Sequence, residues 1–177
     1  MGNSATCTLR EARGEDAEEI CALYRRVAEV LGGLARLPFE ITRPYVDNFL
    51  TLSALRGVGF VAETVQGKVV GEIHASSPEI FCFSHVLSDL TMAVDPLRQG
   101  RGVGRQLFDK LLESVSTLMP HISRIELIAR ESNERAIVFY ESLGFVKEGE
   151  FKGRALNADG SLESDIPMAL HLTKPAA

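Results

Sequence analysis

The ten residues from Arg98 to Leu107, RQGRGVGRQL, combine three glycines with three arginines. Glycines let a backbone approach an anion closely, and arginines supply positive charge around it. A predicted strand at 85–94 comes before this stretch, and a predicted amphipathic helix begins near Gly102. Because a helix N-terminus presents unpaired N–H groups, this order of elements is typical of a phosphate-binding loop. A glycine-rich turn whose arginines face water would have the same composition, so the stretch alone leaves both interpretations open.

Two common nucleotide-binding patterns do not fit this stretch. The P-loop requires GxxxxGK followed by Ser or Thr, and the chain has no such sequence. The dinucleotide-binding pattern GxGxxG begins with Gly100 and Gly102, but Arg105 occupies the place of its last glycine. The sequence before residue 85 also lacks the βαβ opening of that fold. The sequence therefore argues against a dinucleotide-binding domain.

Apolar periodicity and turn residues predict the elements that must position this loop. Strands are predicted at 7–13, 59–65, 68–75, 85–94, 124–130, 145–152 and 163–173, and helices at about 14–30, after 42, from 103 to before 120, and after 133. A strand–helix–strand unit among hairpins predicts the α+β class. We expect one domain over residues 1–177, with a core of about 8–173. Its mixed central β-sheet would have about six to seven strands, flanked by about four helices.

A second set of residues at fixed spacing follows the strand at 124–130. In the segment NERAIVFYESLGF these residues are Asn133, Ala136, Phe139, Tyr140, Gly144 and Phe145. Each has a structural explanation of its own, such as a helix cap for Asn133 and a helix stop for Gly144. The order and spacing of the whole set are harder to attribute to structure alone.

Together the two segments resemble the signatures of the GCN5-related N-acetyltransferase (GNAT) superfamily, whose members bind acetyl-coenzyme A. Gln99, Gly102 and Gly104 fill the first signature, Q/R-x-x-G-x-G/A. The segment 133–145 matches the second, N-x-x-A-x-x-F/L-Y-x-x-x-G-F, and the resemblance extends in order over roughly residues 8–173. It implies an acetyl-CoA-dependent acyltransferase that needs no metal.

The resemblance also implies a role for each matching position. The main chain of one strand end would pair with the pantetheine arm of acetyl-CoA, at Met92, Ala93 and Val94. Backbone N–H groups of the following loop, assisted by arginines, would hold the pyrophosphate, at Gln99, Gly100, Arg101, Gly102, Val103, Gly104 and Arg105. Asn133 and Ala136 would contribute to cofactor binding, and Phe139 would line the channel.

The implied reaction is direct attack of an amine on the thioester in a ternary complex. Tyr140 matches the tyrosine that often protonates the leaving thiolate. Asp89 lies on a strand where members often carry an acidic proton acceptor, and strand alternation predicts that it shares a face with Thr91 and Ala93. A structural carboxylate is an equal alternative for Asp89. His85 is a further candidate for the base or for a substrate contact, although a structural histidine is the favoured interpretation of this residue. Water is another candidate for the base.

Composition narrows the class of partner and the location. A net charge of −5 argues against a protein whose main function is to bind nucleic acid. The sequence has no run of eighteen or more apolar residues, the length needed to span a membrane. The three cysteines form no metal spacing and no nucleophile setting, so we expect buried free thiols. They are Cys7, Cys21 and Cys82. With no secretory signal visible, a cytoplasmic location is expected.

Three finer features bear on the substrate within the resemblance. They are LPF after the first helix, a His ahead of the strand in SHVLSDLTMAV, and the tail GFVKEGEFKGRALNADGSLESDIPMAL. The combination resembles the branch that acetylates free amino acids and small amines. The alternatives are an N-terminal, ribosomal-protein-like acetyltransferase and a catalytically silent CoA-binding sensor. Proteins of this fold often pair, so a homodimer is expected.

Overall fold

The computed structural model describes residues 7–30 and 33–172. They form eight β-strands and four α-helices, joined by short 3₁₀ turns. In chain order these are β1 (Thr8–Glu11), α1 (Ala17–Ala28), α2 (Arg43–Arg56), β2 (Gly57–Glu63), β3 (Val69–Ser76), β4 (Val86–Val94), α3 (Val103–Leu118), β5 (Arg124–Arg130), α4 (Glu134–Ser142), β6 (Val146–Lys147), β7 (Phe151–Leu156) and β8 (Leu162–His171).

The α+β class and the four helices are confirmed, and the strand count is slightly higher than expected. The difference comes from the first arm of the last hairpin, which forms two short strands, β6 and β7, instead of one. Residue 173, the last of the expected core, lies outside the described residues. α1 also ends earlier than the apolar pattern predicts, so Val30 lies beyond the helix and is 45% exposed.

Contacts group the described residues into two compact units. The first unit contains the described residues up to Ser76 and the segment Thr91–Pro120. The second contains Ser77–Leu90 and the described residues from His121 onward. β4 therefore contributes its beginning to the second unit and its end to the first. The expectation of one domain remains a prediction.

In the first unit, β1, β2 and β3 pair as antiparallel neighbours. The helices cover them with apolar faces that the 3.6-residue periodicity predicts. Buried members of these faces are Ile20, Leu23, Tyr24 and Val27 on α1, and Val46, Phe49 and Leu50 on α2. A Cβ atom at Gly71 of β3 would lie 2.9 Å from Leu107 Cδ1 and 3.0 Å from Val103 Cγ1. Gly71 thus allows the first turns of α3 to lie close against β3.

In the second unit, the beginning of β4 pairs in parallel with β5, through Val86 with Arg124 and Leu87 with Ile125. β5 pairs antiparallel with β8 along its whole length, and β8 also pairs with β6 and β7. Parallel and antiparallel pairing therefore occur side by side, as expected for a mixed sheet. The helix α4 follows β5 directly, after a short turn.

Asp95 fixes the loop that joins β4 to α3. Its carboxylate is 4% exposed and accepts hydrogen bonds from the Leu97 N–H and from Arg26 Nε, both at 3.0 Å. Its own N–H donates to the Val70 carbonyl at 2.9 Å, and its carbonyl accepts from the Arg98 N–H at 2.7 Å. One residue therefore ties the start of the loop to α1 and to β3.

We expect Asp95→Ala to lower the free energy of unfolding by about 1–3 kcal/mol, because it leaves buried donors without their acceptor. Urea denaturation would measure the loss. Asp47→Ala is the matched control, since Asp47 pairs with Arg43 at the surface and its removal should cost far less. Equal losses for the two variants would show that Asp95 does not anchor the loop.

Candidate functional site

The loop after β4 places its glycines where the backbone is left-handed. Gly100 has φ 73° and Gly102 has φ 83°, a region that glycine occupies without the steric cost of a Cβ. A Cβ at Gly100 would meet no atom within 4 Å, so its backbone conformation, and not crowding, requires glycine there. Gly102 is the N-cap of α3 and offers no side chain to the helix end.

The first turn of α3 has backbone donors that the helix does not use. Its first intrahelical hydrogen bond joins the Gln106 N–H to the Gly102 carbonyl at 3.0 Å. The N–H groups of Val103, Gly104 and Arg105 precede that bond, and they point out of the positive end of the helix dipole. The chemistry of this helix end therefore suits an anion.

Gln99 holds the loop to the end of β4. Its side-chain amide donates to the Val94 carbonyl at 3.1 Å. The glutamine of the first sequence signature therefore has a local structural role beside any contact with a ligand. The expected main-chain pairing of Met92, Ala93 and Val94 with pantetheine remains a prediction.

The arginines of the loop lie in different environments. Arg101 is exposed and Arg98 is half-buried. Arg105 Nε lies 3.3 Å from Asp109 Oδ1, four residues further along α3. Its charge is partly balanced by that carboxylate, so the backbone N–H groups are the more distinctive feature of the loop.

A polar cluster that the sequence analysis does not predict lies in the core of the first unit. Glu72 on β3 has no exposed surface, and His74 is 5% exposed. The Tyr24 hydroxyl donates to Glu72 Oε2 at 2.5 Å, and His74 Nδ1 lies 3.1 Å from each oxygen of the same carboxylate. Glu72 and His74 are two residues apart and therefore share a face of β3. Two polar residues at this spacing in an apolar strand are the signal that could have revealed them.

Aromatic rings enclose this polar cluster. Phe49 stacks on the His74 imidazole with centroids 3.9 Å apart and planes 4° apart. Tyr45 packs edge-on against Phe49, with centroids at 5.4 Å, and the Arg36 guanidinium lies 4.0 Å above the Tyr45 ring. Burial raises the pKa of Tyr45, and Arg36 partly offsets that rise. The imidazole is thus fixed by stacking as well as by hydrogen bonding.

In the second unit, α4 has the caps that its sequence predicts. Asn133 Oδ1 accepts from the Ala136 N–H at 3.1 Å. Gly144 follows the helix end with φ 95°. Asn133 is therefore an N-cap, and its contact with a cofactor remains a prediction. Ala136 and Phe139 are half-buried, and their predicted roles are likewise untested.

Tyr140 lies on the buried face of α4 and is 8% exposed. Its ring packs edge-on between Phe139 and Phe145, with centroids 5.5 and 5.4 Å away. Burial raises the pKa of the Tyr140 phenol well above its ordinary value, because the phenolate would lose its hydration. The hydroxyl is therefore protonated at neutral pH, as a proton donor must be.

Asp89 and His85, the predicted candidates for a base, are both exposed. Asp89 has φ 55°, which makes it the one non-glycine residue with positive φ in the described part of the chain. A left-handed residue interrupts regular alternation, so alternation no longer supports placing Asp89 on one face with Thr91 and Ala93, and that placement stays a prediction. The catalytic roles of Asp89 and His85 remain predictions.

The three cysteines lie in different environments. Cys21 is buried, Cys7 is half-buried and Cys82 is exposed, so the expectation of three buried thiols is wrong for Cys82. Over residues 7–30 and 33–172, no group of three or more His, Cys, Asp or Glu side chains could hold a metal ion. In the same ranges, no helix has the length and apolar character needed to cross a membrane.

Comparison with known proteins identifies the family. The Acetyltransferase (GNAT) domain family matches residues 56–147. The spermidine N(1)-acetyltransferase of Vibrio cholerae is 28% identical over 90 residues, which are 51% of this chain and 50% of that protein. The [ribosomal protein bS18]-alanine N-acetyltransferase of Salmonella typhimurium is 43% identical over 63 residues, 34% of this chain and 41% of that protein.

Solved structures share the fold over nearly the whole chain. A GNAT superfamily phosphinothricin acetyltransferase from Sinorhizobium meliloti, in complex with AcCoA, has a TM-score of 0.81 at 22% identity, covering 97% of this chain and 94% of that one. The chain spans only 15 to 50% of the length of the curated relatives it matches. The family match includes the loop at the start of α3 and the segment 133–145. The chain therefore belongs to the GNAT acetyltransferase family.

Proposed function

We propose that this protein is an acetyl-CoA-dependent N-acetyltransferase that acts on a primary amine of a small molecule or an amino acid. The observation that carries the proposal is the anion-binding end of α3, where left-handed Gly100 and Gly102 precede three N–H groups unused by the helix. Membership of the GNAT family makes the pyrophosphate of acetyl-CoA the anion that fits this helix end.

In this proposal each group has its own role in the reaction. The N–H groups of Val103 and Gly104 bind the pyrophosphate, and the main chain of Met92, Ala93 and Val94 pairs with pantetheine. Asn133 contributes to binding, and the protonated phenol of Tyr140 is the acid. The support for each role is its local geometry together with the family match.

The reaction is a transfer without a covalent acyl-enzyme. The amine nitrogen attacks the thioester carbon and then gives up one further N–H proton to water, the C–S bond breaks, and the CoA sulfur takes a proton from Tyr140, whose phenolate regains a proton from water. The amine must first lose its own proton. At neutral pH this costs about 1 kcal/mol for an α-amine but roughly 4–5 kcal/mol for a lysine-like amine, since their pKa values differ. Binding both reactants together supplies much of the rate enhancement.

A small amine is favoured as the acceptor, because relatives include enzymes named for spermidine and for phosphinothricin. An N-terminal protein acetyltransferase is the second candidate, since the bS18-alanine relative has the higher identity of the two curated enzymes. A silent CoA-binding module is the candidate from another class. Cytoplasmic location and homodimer formation remain predictions.

Release of the CoA thiol from acetyl-CoA, followed with a thiol reagent, tests the function. The panel should contain free amino acids, polyamines and peptides with a free N-terminus. We expect turnover with at least one small amine. Turnover with peptides alone would favour the protein acetyltransferase. Tight acetyl-CoA binding without turnover on any member would favour the silent binding module.

We expect Gly102→Ala to raise the Kd for acetyl-CoA about tenfold, because a Cβ in the left-handed region costs about 1–2 kcal/mol. Isothermal titration calorimetry would measure the affinity. Gly160→Ala is the matched control, since Gly160 has φ 84° with open space around it but lies in the β7–β8 turn. If both variants bind acetyl-CoA like the wild type, the pyrophosphate role of this loop is wrong.

We expect Tyr140→Phe to lower kcat by about 10²-fold or more while the Kd for acetyl-CoA stays nearly unchanged, because only the proton donor is lost. Steady-state kinetics and calorimetry on the same preparation give the two values. Urea unfolding controls for damage to the packing against Phe139 and Phe145. An unchanged kcat would remove the acid role from Tyr140.

A further inference from the structure

The buried carboxylate of Glu72 determines the state of the His74 ring. A carboxylate is an acceptor, so the Nδ1 atom that lies 3.1 Å from both of its oxygens carries a hydrogen and donates it. In the neutral ring this leaves Nε2 with a free lone pair, on the side away from Glu72. A carboxylate that fixes the tautomer of a histidine in this way is the arrangement that prepares an imidazole to accept a proton.

The remaining neighbours restrain the pair without competing for Nε2. Tyr24 donates its hydroxyl to Glu72 Oε2, so the carboxylate is held from a second side. Phe49 stacks flat on the imidazole and prevents it from turning. The titratable or charged groups facing the pair are therefore Tyr24 of α1 and Tyr45 of α2, with Arg36 lying over the Tyr45 ring.

Of the three side chains in this cluster, His74 retains a small exposed surface. Tyr24 and Glu72 have no exposed surface, whereas 7% of the His74 side chain is exposed.

The cluster lies close in the fold to the proposed cofactor strand. The start of β3 is beside the end of β4, since the Asp95 N–H donates to the Val70 carbonyl at 2.9 Å. Ala93, in the segment proposed to pair with pantetheine, is buried in the same core cluster as Tyr24 and Phe49. The residues that fix His74 therefore pack in one core with the strand end that would hold the thioester arm.

We propose that His74 is the base that accepts the proton of the acceptor ammonium, and that Glu72 and Tyr24 position its ring. This inference rests on the proposed acetyltransferase function. The ammonium N–H bond breaks and its proton moves to His74 Nε2, directly or through one water. The freed amine electron pair then forms the C–N bond. The resulting imidazolium faces the Glu72 carboxylate, which stabilises its charge, and later releases the proton to solvent.

Kinetics of His74→Gln as a function of pH test the catalytic role. We expect kcat/KM near neutral pH to fall about 10²–10⁴-fold, the usual contribution of a general base. The wild-type rate should fall at acid pH, where a protonated ring accepts nothing. In the variant kcat/KM should instead rise tenfold per pH unit up to the pKa of the amine, since only free amine reacts. Calorimetry should show nearly unchanged acetyl-CoA binding.

His121→Gln is the matched control, because His121 is exposed and lies outside the proposed machinery. It should keep the wild-type rate and pH profile.

Glu72→Gln tests the positioning role: its amide can still hydrogen-bond the ring, but the charge that fixes the tautomer is gone. We expect a loss of at least about tenfold in kcat/KM.

Long-range ¹⁵N–¹H NMR of the histidine rings supplies a readout that is independent of activity. In the wild type the neutral His74 ring should carry its hydrogen on Nδ1 and none on Nε2, with signals assigned by comparison with the single histidine variants. Glu72→Gln should shift that balance towards Nε2–H. A His74 ring that carries its hydrogen on Nε2 in the wild type would overturn the proposal even in an active enzyme.

The outcomes separate the two proposals. Wild-type turnover with an unaltered rate and pH profile in His74→Gln would overturn the role of His74 and leave the acetyltransferase function intact. No turnover of any amine by the wild type would overturn the function, and the base assignment with it. A low kcat/KM that rises tenfold per pH unit up to the pKa of the amine in His74→Gln alone, with the control unchanged, would support both.

Discussion

Asp95 ends β4 with a carboxylate that almost no water reaches, so each of its oxygens needs a donor from the protein. Arg26 of α1 supplies one donor and the Leu97 N–H supplies the other. Both hydrogen bonds to Asp95 form because the chain turns directly after β4 into the loop that leads to Gly100 and Gly102. The direction in which α3 then begins, and with it the direction of its free N–H groups, depends on this buried charge.

The parts of the fold that follow from local chemistry could be predicted from the sequence. The strand at 124–130, the N-cap at Asn133 and the helix that begins at Val103 all follow from periodicity and capping residues next to each other in the chain. The positive φ of Gly102 is also a local property, because only a few residue types adopt it and glycine is one of them. The loop could therefore be recognised from residues that are close together in the chain.

What the sequence could not supply depends on contacts between distant residues. Tyr24 and Glu72 are 48 residues apart, and nothing near either one indicates that they share a hydrogen bond. Apolar periodicity indicates only that Tyr24 lies on the buried face of α1. Alternation is also a poor guide to the face of Asp89, because it assumes an extended backbone and this residue has a positive φ. Because aspartate adopts the left-handed region more readily than most residues, the residue type alone does not predict the positive φ.

The composition of the core around Glu72 bears on why such a group is retained. A buried carboxylate loses hydration worth several kcal/mol, and apolar side chains of similar volume often stabilise a core at least as well as a buried polar pair. Glu72 hydrogen-bonds Tyr24 and His74, whereas the hydrophobic core cluster that includes Tyr24 is aromatic and aliphatic. What an apolar residue would lack is the ability to hold the Nδ1 hydrogen of His74. The cluster costs stability, and it fixes one tautomer of the imidazole beside Phe49. Acceptance of a proton by Nε2, the nitrogen on the side away from Glu72, explains such a cluster better than packing alone.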